Sequence, residues 1–158
     1  MSQVLKIATV WLVLGAALFV GFKSYERQQA ATQFQLADGK VQIRRGGDGH
    51  YHWPGTIDGH AVDFLVDTGA TRSTMSQAMA ERLGLHTEGR VQSRTANGAV
   101  FGSTATVDLT LSGGFGARRL RMVVLPQLGD RPLLGMDVLG NLSLRQQGGV
   151  LQVEPPAP

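Results

Sequence analysis

The stretch over residues 64–71 constrains the fold of this chain more than any other. Three apolar residues, Phe-Leu-Val, run directly into a carboxylate at Asp67, which is followed by Thr-Gly-Ala-Thr. A short apolar run bounded by turn residues predicts a buried strand. Gly69 is expected to turn the backbone where a residue with a Cβ would be strained. Because an ionised carboxylate is costly to bury unless something holds it, Asp67 is a candidate functional residue, with a plain turn or helix-capping role as the alternative.

Composition favours one small β domain. The chain has 158 residues, and its 21 glycines and 17% charged residues are typical of a turn-rich β protein rather than a helical bundle. The net charge is +3 and basic residues never run longer than two, so no nucleic-acid partner is expected. The absence of cysteine excludes disulfides, thiolate metal sites and cysteine nucleophiles.

An apolar run at residues 4–22 contains Lys6 as its only charge. A helix of this length, at about 1.5 Å per residue, nearly matches a hydrocarbon core of about 30 Å, so we predict a transmembrane anchor within residues 1–26. A cleaved signal peptide is the alternative, but no good small-x-small cleavage site follows the run. Basic residues at both ends nearly balance, so charge leaves the membrane orientation open.

Three further segments follow the anchor. Residues 27–49 are polar and are predicted to form a juxtamembrane linker that includes a short strand at 41–44. Residues 50–154 are predicted to form the folded domain, and 155–158 a proline-rich tail.

Turn signals divide the domain into many short strands. Asp58-Gly59 and Asn97-Gly98 are dipeptides typical of two-residue hairpins. An apolar face within residues 76–85 predicts a short helix that Gly84 can end, and a helical turn is expected near 137–139. Short strands with turns every ten residues or so predict an all-β fold, a small closed barrel with one short helix.

These features resemble the aspartic peptidases, whose active-site loop is two or three apolar residues followed by Asp-Thr/Ser-Gly-Ala/Ser. Pepsin-like enzymes carry this loop twice in a long chain, whereas this sequence carries it once at Asp67. The chain is therefore similar to the retropepsin-like, single-lobed class, and more narrowly to its bacterial membrane-anchored members, over roughly residues 49–153. The resemblance implies an acid-protease barrel and a homodimeric endopeptidase that cleaves a peptide or protein substrate. It also implies a place in the inner membrane, with the catalytic domain in the periplasm.

The resemblance assigns roles to individual residues. Asp67 would be the catalytic carboxylate, sharing one proton with its copy in a second chain and activating a water molecule. No metal or organic cofactor is needed for this chemistry. Three neighbours would position the loop: Thr68, Gly69 and Ala70.

Two later segments also match the family pattern. The second motif, two apolar residues and a glycine that pack beneath the loop, is matched by Leu133, Leu134 and Gly135. The substrate-covering flap would have its tip at Thr95, Ala96, Asn97 and Gly98. Such a flap clamps an extended peptide through backbone hydrogen bonds, and a plain surface hairpin is the alternative.

Other interpretations fit parts of the sequence. Residues 67–71 also fit the Asp-x-Gly-x-Thr phosphate loop of actin-like ATPases, but that fold needs further motifs and more than twice this length. His50 and His52 share a strand face without an obvious third ligand, so no metal site is predicted. The alternative from another functional class is a retropepsin-like barrel that acts as a dimeric binding or scaffold module at the membrane, with little or no peptidase activity.

Overall fold

The computed structural model describes residues 11–23, 33–35 and 39–156, apart from 96 and 97. The chain divides into two compact units, 1–31 and 32–158. We describe each unit by itself.

The first unit contains the helix α1, which covers residues 11–23 of the described chain. Its large apolar side chains, including Trp11 and Phe19, are exposed. Within the described residues, no helix is long and apolar enough to cross a membrane. Residues 4–10 of the predicted anchor lie outside the described part of the chain.

The second unit is built mainly of β-strands, and the predicted all-β barrel is confirmed. Its strands are β1 (Gln33–Gln35), β2 (Val41–Arg44), β3 (His52–Ile57), β4 (His60–Val66), β5 (Thr74–Ser76), β6 (Thr87–Thr95), β7 (Gly98–Leu111), β8 (Gly116–Leu125), β9 (Leu133–Leu134), β10 (Ser143–Gln147) and β11 (Val150–Glu154). Two short helices accompany them, α2 (Gln77–Arg82) and α3 (Met136–Leu139).

Six strands form a closed ring in the order β8-β5-β9-β4-β3-β7, which returns to β8. The β4–β9 and β5–β8 pairs are parallel, and the other four pairs are antiparallel. The remaining strands of this sheet extend it outside the ring, β1 on β8 and β6 on β7. Ring closure leaves few strand edges unpaired, which suits a small β domain.

The hairpin between β3 and β4 forms where the sequence predicts it. Asp58 and Gly59 both have positive φ, 47° and 82°, as a two-residue turn that follows the twist of the strands requires. The backbone N–H of Asp108 donates to the Asp58 carboxylate at 2.7 Å. This bond ties the hairpin to the C-terminal part of β7.

The core lies inside the barrel and is lined by alternate residues of its strands. Trp53 and Phe115 meet edge to face with their ring centroids 5.5 Å apart. The Trp53 indole N–H donates to the carbonyl of Ser112 at 2.9 Å, which satisfies the buried polar atom. Other fully buried residues include Phe64 and Met75. Phe64 thus anchors β4 in the core three residues before Asp67.

A separate three-stranded sheet has the order β10-β11-β2. Because β2 pairs with β11 over residues 41–44, the folded unit begins earlier than the predicted boundary at residue 50. Ile43 and Leu151 are buried in the hydrophobic core cluster of the unit. The sequence around β2 is polar and only one side chain of the strand is buried, so the sequence alone did not indicate that this strand packs on the domain.

Helix α2 begins at the Ser76 N-cap, whose hydroxyl accepts a hydrogen bond from the N–H of Met79. Capping of this kind satisfies one of the free N–H groups of the first helical turn. The chain leaves the helix through Gly84 at φ 65°, as predicted. Helix α3 occupies the helical turn expected near residue 137.

Candidate active site

Asp67 lies directly beyond the last residue of β4 and is half-buried. Its backbone N–H donates to the carbonyl of Leu134 at 3.0 Å. Its carboxylate Oδ1 accepts a hydrogen bond from the N–H of Gly69 at 2.9 Å. The fold therefore fixes the backbone of Asp67 against β9 and leaves the carboxylate in contact with solvent.

The structure gives a different reason for glycine at position 69 from the one expected. Its φ is not positive, so the turn itself does not demand glycine. A Cβ on Gly69 would instead lie 3.2 Å from Oδ1 of Asp67. The glycine therefore leaves room for the carboxylate to receive the Gly69 N–H, and the expectation of a strained backbone at this position is wrong.

Leu133, Leu134 and Gly135 lie beneath the loop. Leu133 and Leu134 form β9, which pairs in parallel with the last two residues of β4. A Cβ built on Gly135 would lie 2.5 Å from the carbonyl carbon of Arg72 and 2.8 Å from the backbone nitrogen of Ser73. Gly135 thus permits two backbone segments to approach more closely than any other residue would allow.

A polar pair, the buried Ser73 and the half-buried Asp137, links the two motifs. The Ser73 hydroxyl donates to Asp137 Oδ1 at 2.7 Å and accepts the N–H of Gly135 at 3.0 Å. The Ser73 N–H lies 2.9 Å from both carboxylate oxygens of Asp137, while the serine side chain is wholly buried. Charge-assisted bonds of this kind are short and strong, so the pair holds the loop on β9 and α3.

Helix α3 contributes to the same attachment. The N–H of Met136 donates to the carbonyl of Ala70 at 2.8 Å, and that of Asp137 donates to the carbonyl of Thr71 at 3.1 Å. The first N–H groups of a helix have no partner within the helix. Here the active-site loop supplies the partners, which fixes Ala70 and Thr71 relative to Asp67.

A cleft opens beside Asp67. Its lining includes the loop as far as Arg72, and residues 91–94 of β6. Leu128, in the connection before β9, also borders the cleft. The sequence analysis did not identify residues 91–94, Leu128 or the Ser73–Asp137 pair as parts of the site. An acidic residue at the start of α3 was an available signal for the Ser73–Asp137 pair.

The predicted flap residues occupy the turn between β6 and β7. Thr95 and Gly98 pair across the ends of these strands, and Gly98 has φ 109°. Ala96 and Asn97 lie outside the described residues. The described strand β6 borders the cleft just before this turn, so the predicted tip continues from a wall of the cleft.

The positioning residues differ in exposure. Thr68 and Gly69 are exposed, whereas Ala70 is half-buried. The Thr68 hydroxyl has no hydrogen-bond partner in the described part of this chain. The outer surface of the loop is therefore free for contact with another molecule.

His52 lies in a charged cluster with Asp48, Asp63 and Arg131. His52 Nε2 lies 2.8 Å from Asp48, and Arg131 contacts both Asp48 and Asp63. Among the described residues, no group of three or more His, Cys, Asp or Glu side chains could hold a metal ion. The cluster joins the start of β3 to the connection before β9.

A closed barrel with one Asp-Thr-Gly loop per chain, backed by an apolar-apolar-Gly motif, is the arrangement of a single-lobed acid protease. The family model described as gag-polyprotein putative aspartyl protease matches residues 53–141, more than half of the chain. The chain therefore belongs to this family of retropepsin-like aspartic peptidases, which confirms the resemblance found in the sequence.

One solved structure supports this assignment of fold. The crystal structure of a retropepsin-like aspartic protease from Rickettsia conorii is similar to this chain with a TM-score of 0.58 and 22% identity, covering 78% of this chain and 92% of that one. EIAV protease complexed with the inhibitor HBY-793 is similar with a TM-score of 0.49 and 22% identity, covering 60% of this chain and 89% of that one.

A relative from Sinorhizobium sp., an uncharacterized protein in the cobV 5′ region, is 29% identical over 111 residues. The match covers 68% of this chain and 48% of that protein. The chain thus spans about half the length of this curated relative.

Proposed function

We propose that the chain is an aspartic endopeptidase that hydrolyses peptide bonds as a homodimer, using one Asp67 from each protomer. The observation that carries the proposal is the position of Asp67. Its carboxylate directly follows β4, accepts the Gly69 N–H at 2.9 Å and borders a cleft walled by β6. Family membership supports the assignment to peptidases rather than to other hydrolases.

The chemistry needs two carboxylates in different protonation states. Two like-charged carboxylates held close together cannot both ionise easily, so they share one proton. The ionised Asp67 accepts a proton from a water molecule, whose oxygen attacks the carbonyl carbon of the peptide, while the protonated Asp67 donates to the carbonyl oxygen. In the second step the Asp67 carboxyl that took the proton from water passes it to the amide nitrogen, while the other Asp67 carboxylate takes a proton from a hydroxyl of the tetrahedral intermediate. The C–N bond breaks, an amine and a carboxylic acid leave, and the two carboxylates again share one proton.

A single protomer provides only half of this machinery. The described cleft contains one carboxylate, that of Asp67. The neighbouring Thr68 is exposed, and among the described residues its hydroxyl has no hydrogen-bond partner. A second loop related by a two-fold axis would supply both the missing carboxylate and a partner for Thr68.

The test compares wild type with Asp67→Asn on casein and on a peptide library, from acidic to neutral pH. Cleavage by wild type that is lost in the variant and blocked by pepstatin supports the proposal. Persistence of cleavage in the variant would refute the role of Asp67. Dimerisation without cleavage at any pH would favour the binding or scaffold module instead.

Mixing the two forms tests the dimer separately. The equal mixture contains wild-type and Asp67→Asn protomers. If protomers pair at random and each active dimer needs two intact Asp67 carboxylates, the mixture should have about a quarter of the activity of the same total amount of wild type. The mixture must first be unfolded and refolded together so that subunits exchange. Retention of half the activity would show that each chain works alone.

We also propose that the N-terminal segment tethers the enzyme to the inner membrane with the catalytic unit in the periplasm. The apolar run at residues 4–22 and the exposed apolar side chains of α1 support this proposal. Confinement to a plane would raise the effective concentration of protomers and favour pairing. Because the chain lacks cysteine, single cysteines at Ser2 and Ser143 can be labelled in intact cells. Labelling of only the Ser143 position by an impermeant maleimide is expected, and the reverse pattern would refute the orientation.

A further inference from the structure

The side chains that line the cleft carry more positive than negative charge. Of the described residues at its surface, three are charged: Asp67, Arg72 and Arg94. Both arginines are exposed, and neither guanidinium makes a hydrogen bond or an ion pair in the described part of the chain. Elsewhere on the same unit, Arg118 and Arg131 do have carboxylate partners.

We propose that Arg72 and Arg94 are specificity-determining residues that select peptide substrates with acidic side chains beside the cleaved bond. The proposal rests on the proposed peptidase function and adds a substrate class to it. It follows from two guanidinium groups that have no partner in the described part of the chain and that line a cleft where, among the described residues, Asp67 is the only carboxylate.

The two arginines lie on different elements. Arg72 follows the active-site loop; its backbone passes close to Gly135, and its carbonyl accepts a hydrogen bond from the Thr74 hydroxyl at 3.0 Å. Arg94 lies near the end of β6, where it pairs with Ala99 of β7. A peptide lying in the cleft therefore passes between Arg72, next to the active-site loop, and Arg94, on the strand that leads to the predicted flap tip.

Electrostatics favours an acidic ligand in this arrangement. In the proposed dimer the two Asp67 carboxylates share one proton and carry a single negative charge, whereas the two protomers bring four guanidinium groups. A cleft lined mainly by one sign of charge attracts ligands of the opposite sign. Arginine also offers a planar fork of N–H donors that matches a carboxylate.

The two-fold axis adds a specific expectation. Each protomer contributes the same pair of arginines to its own half of the cleft. The preference for glutamate or aspartate should therefore appear on both sides of the cleaved bond. A preference confined to one side would contradict a symmetric origin.

The closing experiment measures binding without turnover. Full-length Asp67→Asn protein is titrated with three fluorescent decapeptides that differ only in carrying Glu, Gln or Lys at positions flanking the centre. We expect the Glu peptide to bind more tightly than the Gln peptide, by up to about fivefold for each arginine engaged. The ratio should shrink in high salt, because screening shortens the range of the attraction.

Variants made in the same background assign the effect. Arg72→Gln and Arg94→Gln should each lower the Glu-to-Gln affinity ratio, and Arg72→Glu should shift the preference toward the Lys peptide. Arg145→Gln removes the same charge from an exposed position on β10 outside the cleft, and it should leave the ratio unchanged. Because the ratio is taken within one protein sample, a partly unfolded variant does not distort it.

The outcomes separate this inference from the peptidase function. Equal affinity for the three peptides, or an equal effect of Arg145→Gln and Arg72→Gln, would refute the acidic preference whether or not wild type cleaves. An acidic preference that depends on Arg72 and Arg94 would support the inference even if wild type proved inactive. Cleavage profiling of wild type then shows whether the preference extends to both sides of the bond.

Discussion

The substitution Ser73→Ala tests the link that holds the active-site loop on β9 and α3. It removes a hydroxyl that donates to Asp137 at 2.7 Å and accepts the Gly135 N–H at 3.0 Å. The serine is wholly buried, so water cannot readily replace either bond. The backbone N–H of Ser73 still donates to the carboxylate, which prevents complete loss of the attachment.

The expected cost follows from two contributions. A hydrogen bond to a charged group contributes about 1.5–3 kcal/mol, and a buried N–H left without a partner costs about 1–3 kcal/mol. The two overlap because the surviving backbone bond can strengthen, so we expect a loss of about 2–4 kcal/mol in the free energy of unfolding. For a domain of this size, about 3 kcal/mol lowers the melting temperature by roughly 10 °C.

Urea unfolding followed by circular dichroism measures this loss, with an unchanged slope showing that only stability has changed. Ser143→Ala, at an exposed position on β10, is the matched control and should change stability by less than about 0.5 kcal/mol. A double-mutant cycle of Ser73→Ala with Asp137→Asn should reveal a coupling of about 1–3 kcal/mol. Additive effects, or a loss for Ser73→Ala no larger than that of the control, would refute the proposed link.

Two further predictions concern the glycine of the second motif and the carboxylate of Asp48. Gly135→Ala places a methyl group against the backbone of Arg72 and Ser73 and should cost at least about 1–3 kcal/mol in urea unfolding. Gly129→Ala, where a Cβ would meet nothing within 4 Å, should cost far less, and equal losses would contradict the steric argument. The His50 N–H, 3.1 Å from Asp48 Oδ1, is the main cause that holds the pKa of Asp48 below its ordinary 3.8. A lowered folded-state pKa stabilises the fold above the unfolded-state value, and this contribution is lost as the pH falls through the folded-state value. Asp48→Asn should therefore narrow the difference in melting temperature between about pH 5 and pH 2.5. Asp130→Asn is the control. If it narrowed that difference equally, Asp48 would not be responsible.

The sequence predicts well those features that depend on near neighbours. The Asp58-Gly59 turn needs two residues with positive φ, and Asp-Gly is among the few pairs that adopt this geometry readily. The run of residues 64–66 into Asp67 places a carboxylate beyond a strand end for a similarly local reason. Closure of the barrel could be expected from many short strands, because a closed sheet leaves no long unpaired edges.

Features that depend on distant parts of the chain could not be predicted in the same way. Ser73 and Asp137 are 64 residues apart, and neither residue type signals a partner by itself. The sequence context of Gly69 suggests a turn with positive φ, whereas in the structure its φ is not positive and a Cβ there would lie 3.2 Å from the carboxylate of Asp67. The strand β2 was placed in a linker because its pairing partner, β11, lies more than a hundred residues later.

The structure separates residues that would perform catalysis from those that support them. The Asp67 carboxylate is half-buried and accepts one hydrogen bond in the described structure, from Gly69. Removing its charge should therefore change the unfolding free energy little while abolishing cleavage. Ser73 and Gly135 have the opposite character, because they are packed between β9 and the loop, and their substitution should lower stability and cleavage together. A variant of Asp67 that lost activity only by unfolding would place it among the supporting residues, and the proposed chemistry would then lack its acid.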